Sequence, residues 1–277
     1  MAASPSTTRA RRALTAGATG MVSAWPANAF AGLASRVSSG SGSDSYNVMV
    51  TNRSWVIAGP TASPGISRHT MTRVLVKWIT CEVVDRPGFD RGQRAWAALQ
   101  GAPGCLGQGG GWSRQDPGTA HLFAFWADRA SYQAFMEGQH DDIAAAQAGT
   151  YAGIGVRVLE HRLDVGRSVS PGFPGASLLR MAYCHVRPER IGHFISAQAD
   201  VWNPGMASAP GMLGGVFAQA ADTEFLVLSM WRSPADHEKY RAERFTDLRR
   251  RAAATKDLTD VAGDLVEVER AWSVPQQ

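Results

Sequence analysis

The sequence predicts an α+β protein in which one β-α-β-β-α-β unit is used twice, and three observations predict it. The stretch Val76-Lys77-Trp78-Ile79-Thr80-Cys81-Glu82-Val83 returns as Leu179-Arg180-Met181-Ala182-Tyr183-Cys184-His185-Val186. Each copy is followed by an Ala-Pro-Gly turn, at Ala102-Pro103-Gly104 and at Ala209-Pro210-Gly211. Each turn leads into an apolar strand closed by tryptophan, Leu122 to Trp126 and Leu226 to Trp231. Self-similarity on the scale of a whole supersecondary unit outranks any local motif.

The elements follow in order. Val74 to Val84 is rich in β-branched and apolar residues, as a buried strand is. A helix runs from about Phe89 to Gln100, with Phe89, Trp96 and Leu99 on one stripe. Gly101 to Trp112 makes a turn and opens a second strand, Asp116-Pro117-Gly118 is a hairpin turn, and His121 to Trp126 is the third strand. Ser131 to Ala148 is a second helix with Tyr132, Phe135, Met136 and Ile143 at helical spacing, and Gly155 to Val165 is the fourth strand. After a Pro/Gly linker, Ser170 to Gly175, the order repeats. Leu178 to Val186 is a strand, and a helix begins near Glu189 with Ile191, Phe194, Ile195 and Trp202 on one face. Strands follow at Met212 to Gln219 and Glu224 to Trp231. Ser233-Pro234 caps and opens a helix ending near Thr255, and Leu265 to Val274 closes the unit.

The order is that of a ferredoxin-like unit, and the two copies span 71–167 and 176–274. In each, two helices cover one face of a four-stranded antiparallel sheet and leave the other face apolar. The economical arrangement packs the open faces against each other as an intrachain α/β barrel, with a ligand cavity between the sheets. A monomer with an internal pseudo-dimer, or a homodimer of it, is expected.

Residues 1–70 contain no Lys and no Glu, and carry six arginines against Asp44 alone, a net of +5. A secretory signal (Arg11-Arg12, Ala27-Asn28-Ala29) and an organellar transit peptide compete there with a disordered or non-native extension, and the last is the expectation, with translation beginning at Met71. The remaining 22 basic and 23 acidic residues nearly cancel, which argues against a nucleic-acid surface, and no stretch reads as a membrane span. Cys81 and Cys184 share one strand position and no Cys-x-x-Cys occurs, so reduced thiols, a cytoplasmic location and no metal are expected.

Residues 73–274 resemble the YdbC-like family of uncharacterised bacterial proteins. The resemblance rests on Lys77-Trp78-Ile79, Arg91-Gly92-Gln93-Arg94-Ala95-Trp96, Gly107 to Ser113, Phe123-Ala124-Phe125-Trp126, Val201-Trp202-Asn203-Pro204, Leu226 to Arg232 and Lys239 to Arg244. It implies no established reaction. More remotely, the chain is similar to the dimeric α/β-barrel superfamily, which includes antibiotic-biosynthesis monooxygenases, haem-degrading monooxygenases and stress-response barrels. That likeness implies a fold and not a chemistry.

The candidate residues form two groups. His140 lies on the apolar side of the second helix, four after Met136, where an imidazole could serve as a general base. Counting from the strand-ending tryptophans its counterpart is Phe245, which favours a hydrogen-bonded core histidine instead. Lys77 and Arg180 match at mid-strand, and on inner faces they could hold an acidic ligand, or they could pair with Glu160 and Glu269. Trp78, His121, Phe123 and Tyr183 could line an aromatic cavity. The glycines of Gly107 to Gly111 fit a strand bend or bulge better than a dinucleotide fingerprint, since Trp112 follows where glycine is required. The expected function is binding of a small aromatic or acidic molecule between the sheets without a cofactor. The alternative is a cofactor-independent, monooxygenase-like or isomerase-like enzyme with His140 as base.

Overall fold

A computed structural model describes residues 74–168 and 172–275, and the expectations for residues 1–70 lie outside them. The first repeat comprises β1 (Leu75–Val83), α1 (Arg86–Arg94) with a 3-10 continuation (Ala95–Gly101), β2 (Cys105–Ser113), β3 (Thr119–Trp126), α2 (Arg129–Gly138), α3 (His140–Ala144) and β4 (Tyr151–Asp164). The second comprises β5 (Leu178–Val186), α4 (Ile191–Ala197), α5 (Asn203–Ala207), β6 (Met212–Ala221), β7 (Glu224–Trp231), α6 (Pro234–Tyr240), α7 (Thr246–Arg251), α8 (Ala254–Asp257) and β8 (Leu258–Val268). Helix starts are set by side chains that satisfy otherwise orphaned backbone N–H groups: Asp85 accepts from Gly88, Asp128 from Ser131, and Ser233 from Asp236. The Ser233-Pro234 start stands as read from the sequence.

The eight strands close into one antiparallel barrel in the order β1-β3-β2-β8-β5-β7-β6-β4. Each repeat supplies a contiguous four-strand half, β4-β1-β3-β2 or β8-β5-β7-β6. The open faces do cover each other, and in addition the sheet edges are joined, by β2 to β8 at Gly111↔Val268 and Ser113↔Val266 and by β4 to β6 at Glu160↔Gln219 and Asp164↔Val216. Closure within one chain leaves none of these strands with an unpaired edge.

Alternation along the strands sorts side chains into two destinations. On β1, Val76 and Trp78 enter the barrel interior, while Leu75, Ile79 and Cys81 face the helices. On β5, Leu179, Met181 and Tyr183 point inward, and Leu178, Ala182 and Cys184 outward. Both faces are covered, which is why these strands read as nearly unbroken apolar runs. The Cys81 and Cys184 thiols are buried and pushed up to about 12 by desolvation, so they behave as packing residues.

The glycine run has a specific use. A Cβ at Gly109 would sit 2.7 Å from the ring of Phe173, so only a bare backbone makes room for that side chain. Phe173 comes from the linker with φ of 53° and meets Phe123 and Phe125 edge-on at 6.2 and 6.1 Å, closing one end of the barrel. The expected bulge is present at Cys105/Gly107, and the second repeat has its partner at Met212/Gly214.

The helix expected over Ser131 to Ala148 is split at Gln139, β4 begins at Tyr151 and not Gly155, and the largest strand difference is at the end of the second repeat. The last strand is Leu258–Val268 rather than Leu265 to Val274, because pairing with β5 extends back to Leu258 through polar Asp260 and Asp264; Arg270–Trp272 is a 3-10 turn instead.

Trp126 is 1% exposed, tilted against Phe135 with ring centroids 5.0 Å apart, and its Nε1 has no hydrogen-bond partner among the described residues, so truncation removes packing alone. Trp126→Ala is expected to cost about 3–5 kcal/mol in denaturant unfolding. Val84→Ala, at a position 68% exposed, is expected to stay within about 0.5 kcal/mol.

Candidate functional site

The structure separates the sequence candidates into two groups on opposite faces of the strands. Lys77 and Arg180 do not face each other between the sheets. Each has the parity of its neighbouring cysteine and points into the helix-covered layer of its own repeat, where each is nearly buried at 5% and 7% exposure. The suggested pairing of Lys77 with Glu160 is absent too: Lys77 lies on the strand face opposite the barrel interior with its Nζ 3.5 Å from Met136 Sδ, and Glu160 Oε1 lies 3.8 Å from Arg129. Glu269 follows the end of β8 and accepts from the Ala271 N–H; the strand partner of Leu178, matching Glu160 opposite Leu75, is Glu267.

His140 likewise stands outside the barrel, because α2 and α3 pack on the outer face of the sheet. Its ring meets Trp96 at 5.7 Å and Phe135 at 5.9 Å, both edge-on, and its Nδ1 lies 2.8 Å from Asp141 Oδ1. Burial holds its pKa below the usual histidine value, with Asp141 opposing and Lys77 adding to the shift. The correspondence with Phe245 is visible in the packing: Phe245 meets Trp202 at 5.6 Å as His140 meets Trp96. Each repeat thus holds a strand-centre cation, an aromatic or imidazole ring from its second helix and a tryptophan from its first. The sets are Lys77–His140–Trp96 and Arg180–Phe245–Trp202.

The two compartments differ in filling. In the first, Met136 and Tyr132 close over Lys77, the tyrosine ring centroid lying 5.4 Å from Nζ. In the second, both helices widen into π turns, at Gln198–Trp202 and Arg241–Phe245, a deviation often found where a ligand is accommodated. Between them and the sheet lies a narrow, mostly apolar cavity lined by Arg180, Phe194, Gln198, Trp202, Met206 and Phe245. The Arg180 guanidinium lies 5.8 Å from the Phe245 ring centroid. Nearby His237 is 3% exposed with its pKa lowered to about 3, first by burial and then by the Arg180 charge.

Trp78, His121, Phe123 and Tyr183 do enter the barrel. Phe123 is fully buried and stacked with Trp78 at 6.4 Å, in the middle of the packed interior. His121 bridges the repeats: Nδ1 lies 3.2 Å from Trp78 Nε1 and 3.4 Å from Thr80 Oγ1, and Nε2 lies 3.1 Å from Asp264 Oδ2. An indole N–H can only donate, so Nδ1 accepts and the imidazole proton sits on Nε2, directed at Asp264. Tyr183 donates its hydroxyl to Glu224 Oε2, which together with burial raises the phenol pKa. Arg157 lies over both Trp78 and Tyr183, at 5.0 and 4.9 Å from their ring centroids. Sequence reading missed Thr80, Arg157, Glu224 and Asp264. The signal was available for Thr80 and Arg157, which share strand faces with Trp78 and Leu159, and not for Asp264, which lies ahead of the expected start of its strand. Among the described residues no cluster of three metal-ligating side chains occurs, and no helix is long and apolar enough to cross a membrane.

Burial of Lys77 without a carboxylate partner lowers its pKa to about 8, whereas an unfolded chain holds that proton to about 10.5. Between these values the unfolded state binds more protons, so stability rises with pH. Lys77→Met is expected to stabilise the protein near neutral pH by about 1–3 kcal/mol and to abolish the rise. Denaturant titrations across the alkaline range check both.

Residues 75–159 match the family described as Domain of unknown function (DUF4937). The chain is 36% identical over 74 residues to the uncharacterized protein YdbC of Bacillus subtilis (strain 168), a match covering 25% of this chain and 62% of that protein's length. Among solved structures it is similar to a candidate monooxygenase from Fusobacterium nucleatum subsp. nucleatum (TM-score 0.61, 11% identity, 71% of this chain and 93% of the other). A second, also a candidate monooxygenase, is from Lactobacillus acidophilus NCFM (TM-score 0.59, 13% identity, 74% and 97%). A third is an anthrone oxidase-like protein (TM-score 0.54, 13% identity, 71% and 91%). At such identities the likeness speaks for the fold alone. The first repeat therefore matches DUF4937, the chain is similar in sequence to YdbC, and the whole barrel has the α+β fold of these monooxygenase-like structures.

Proposed function

We propose that the protein binds a small organic acid in the helix-covered cavity of its second repeat, with Arg180 meeting the acid and the apolar lining holding the rest of the molecule. The observation that carries this reading is a permanently charged guanidinium in the wall of a mostly apolar cavity whose other polar side chain is the amide of Gln198. A guanidinium presents a planar fork matched to a carboxylate, and it cannot lose its charge to escape burial. The π turns of both covering helices support the reading, since they widen the helices over the second compartment. On this reading the ligand lies on the outer side of the sheet, under the helices, and not in the barrel interior, where Phe123, Phe125 and Phe173 are packed.

The catalytic alternative has less behind it. His140 sits in the filled first compartment, its ring wedged against Trp96 and Phe135 and its Nδ1 engaged by Asp141.

A thermal-shift series of short aliphatic and arylalkyl carboxylates against their alcohols tests the proposal. Acids are expected to raise the melting temperature by a few degrees at about 100-fold excess over Kd, and the alcohols much less. Arg180→Met is expected to weaken the acids at least tenfold, about 1.4 kcal/mol. Equal binding of acids and alcohols, or unchanged acid binding by Arg180→Met, would overturn the assignment.

A further inference from the structure

The barrel has two unlike ends. Phe173 closes one, whereas the other carries polar side chains from both repeats that no core needs: Thr80, Arg157, His185 and Glu224, above the buried Trp78, Tyr183, His121 and Asp264. We propose that this polar end is a second binding site, distinct from the Arg180 cavity, for a planar aromatic molecule bearing an acidic group and a hydroxyl.

Four features support the assignment. Trp78 from β1 and Tyr183 from β5 meet across the barrel with ring centroids 5.4 Å apart, giving a two-ring platform built by both repeats. Arg157 lies over both rings on an exposed side chain, so a guanidinium already stacks where an aromatic acid would lie and can move aside to pair with its carboxylate. Beside it, Gly155 is paired with Thr80 and so faces the same interior, and a Cβ there would meet nothing within 4 Å: the strand leaves a recess at this point. Finally, Glu224 accepts from the Tyr183 hydroxyl through Oε2, while Oε1 lies 3.8 Å from His185 Nδ1, an acceptor edge placed to take a hydroxyl.

The buried His121–Asp264 pair has a positioning part in this site. Both ring nitrogens of His121 are engaged, Nδ1 by Trp78 and Thr80 and Nε2 by Asp264, so the imidazole is not offered to a ligand. It fixes the indole in the plane that faces Tyr183, and it ties that plane to β8 of the other repeat. The charged side chains at this end are Arg157 and His185 with Glu224, Glu82 and Asp260, the last two on the same strand faces as Thr80 and Asp264, so a ligand's acidic group has Arg157 as its partner and an aliphatic acid satisfies that contact alone, which sets the selectivity for aromatic hydroxy acids.

The test follows the Trp78 indole N–H resonance of the full chain, assigned by its loss in Trp78→Phe, during titration with 4-hydroxybenzoate and, as control, hexanoate. A saturable shift with 4-hydroxybenzoate and none with hexanoate is expected. Arg157→Ala, at an exposed side chain, is expected to leave the melting temperature unchanged and weaken binding at least tenfold. Gly155→Val is expected to fold, since it enters empty space, and to block the site. Should Gly155→Val fail to fold, Glu224→Gln gives the same reading through lost preference for the hydroxyl. Arg180→Met is expected to leave this titration unchanged, which separates the two sites. Binding that survives both Arg157→Ala and Gly155→Val, that is lost in Arg180→Met, or that never perturbs the Trp78 resonance would overturn the proposal.

Discussion

Closure of the barrel is the constraint from which the rest follows. Once β2 is bonded to β8 and β4 to β6, no strand can shift register without breaking a pairing on both sides. Each side chain then has one of two destinations, the shared interior or the helix layer of its own repeat. The interior belongs to both repeats, so a contact such as Trp78 to Tyr183 or His121 to Asp264 can exist only in the fused barrel. The helix layers are private, and each repeat is free to fill its own differently.

The repeats use that freedom unequally. They keep the same strand order, the same glycine bulge at the start of the second strand and the same tryptophan at the end of the third, because these set the geometry of closure. They diverge under the helices, where closure places no demand. His140 against Trp96 and Phe245 against Trp202 occupy matching places, yet one layer is filled around Lys77 and the other, opened by two π turns, is hollow around Arg180. Divergence confined to the private layers is what a duplicated fold permits where closure constrains the strands and not what the helices cover.

The repeat, the element order and the pairing of open faces were legible in the sequence, since they rest on alternation and on turn residues that recur at matched positions. The edge joining was not, because the β2–β8 and β4–β6 pairings run between the repeats and leave no mark in the alternation of either one. The candidate site was readable in kind but not in place. Lys77 and Trp78 are adjacent on one strand and must point to opposite faces, and Arg180 and Tyr183 have opposite parity as well. A single cavity lined by all four was therefore excluded by period-two geometry, and the residues divide between the barrel and the helix layers as that parity requires. What parity could not reveal was that the helices over Arg180 widen, since a π turn has no signature in the pattern of apolar residues.

The contrast between the two buried cations gives that division an energetic basis. A charge taken out of water must be neutralised, paired or screened by polarisable groups. Lysine can take the first course, and the pKa of Lys77, lowered by burial beside a thioether, a phenol ring and the His140 imidazole, shows the strain that makes it accessible. Arginine cannot, because guanidinium stays charged at any pH the fold survives. Replacing lysine by arginine at the matched position therefore turns a neutralisable buried group into a permanent positive potential, which spreads through its layer and helps depress the pKa of His237. An apolar cavity beside such a charge favours a ligand that is anionic at one end and apolar along its length, and disfavours neutral or cationic molecules of the same shape. The electrostatic difference between the two compartments is thus set by one substitution between the copies, on a backbone that closure holds the same in both.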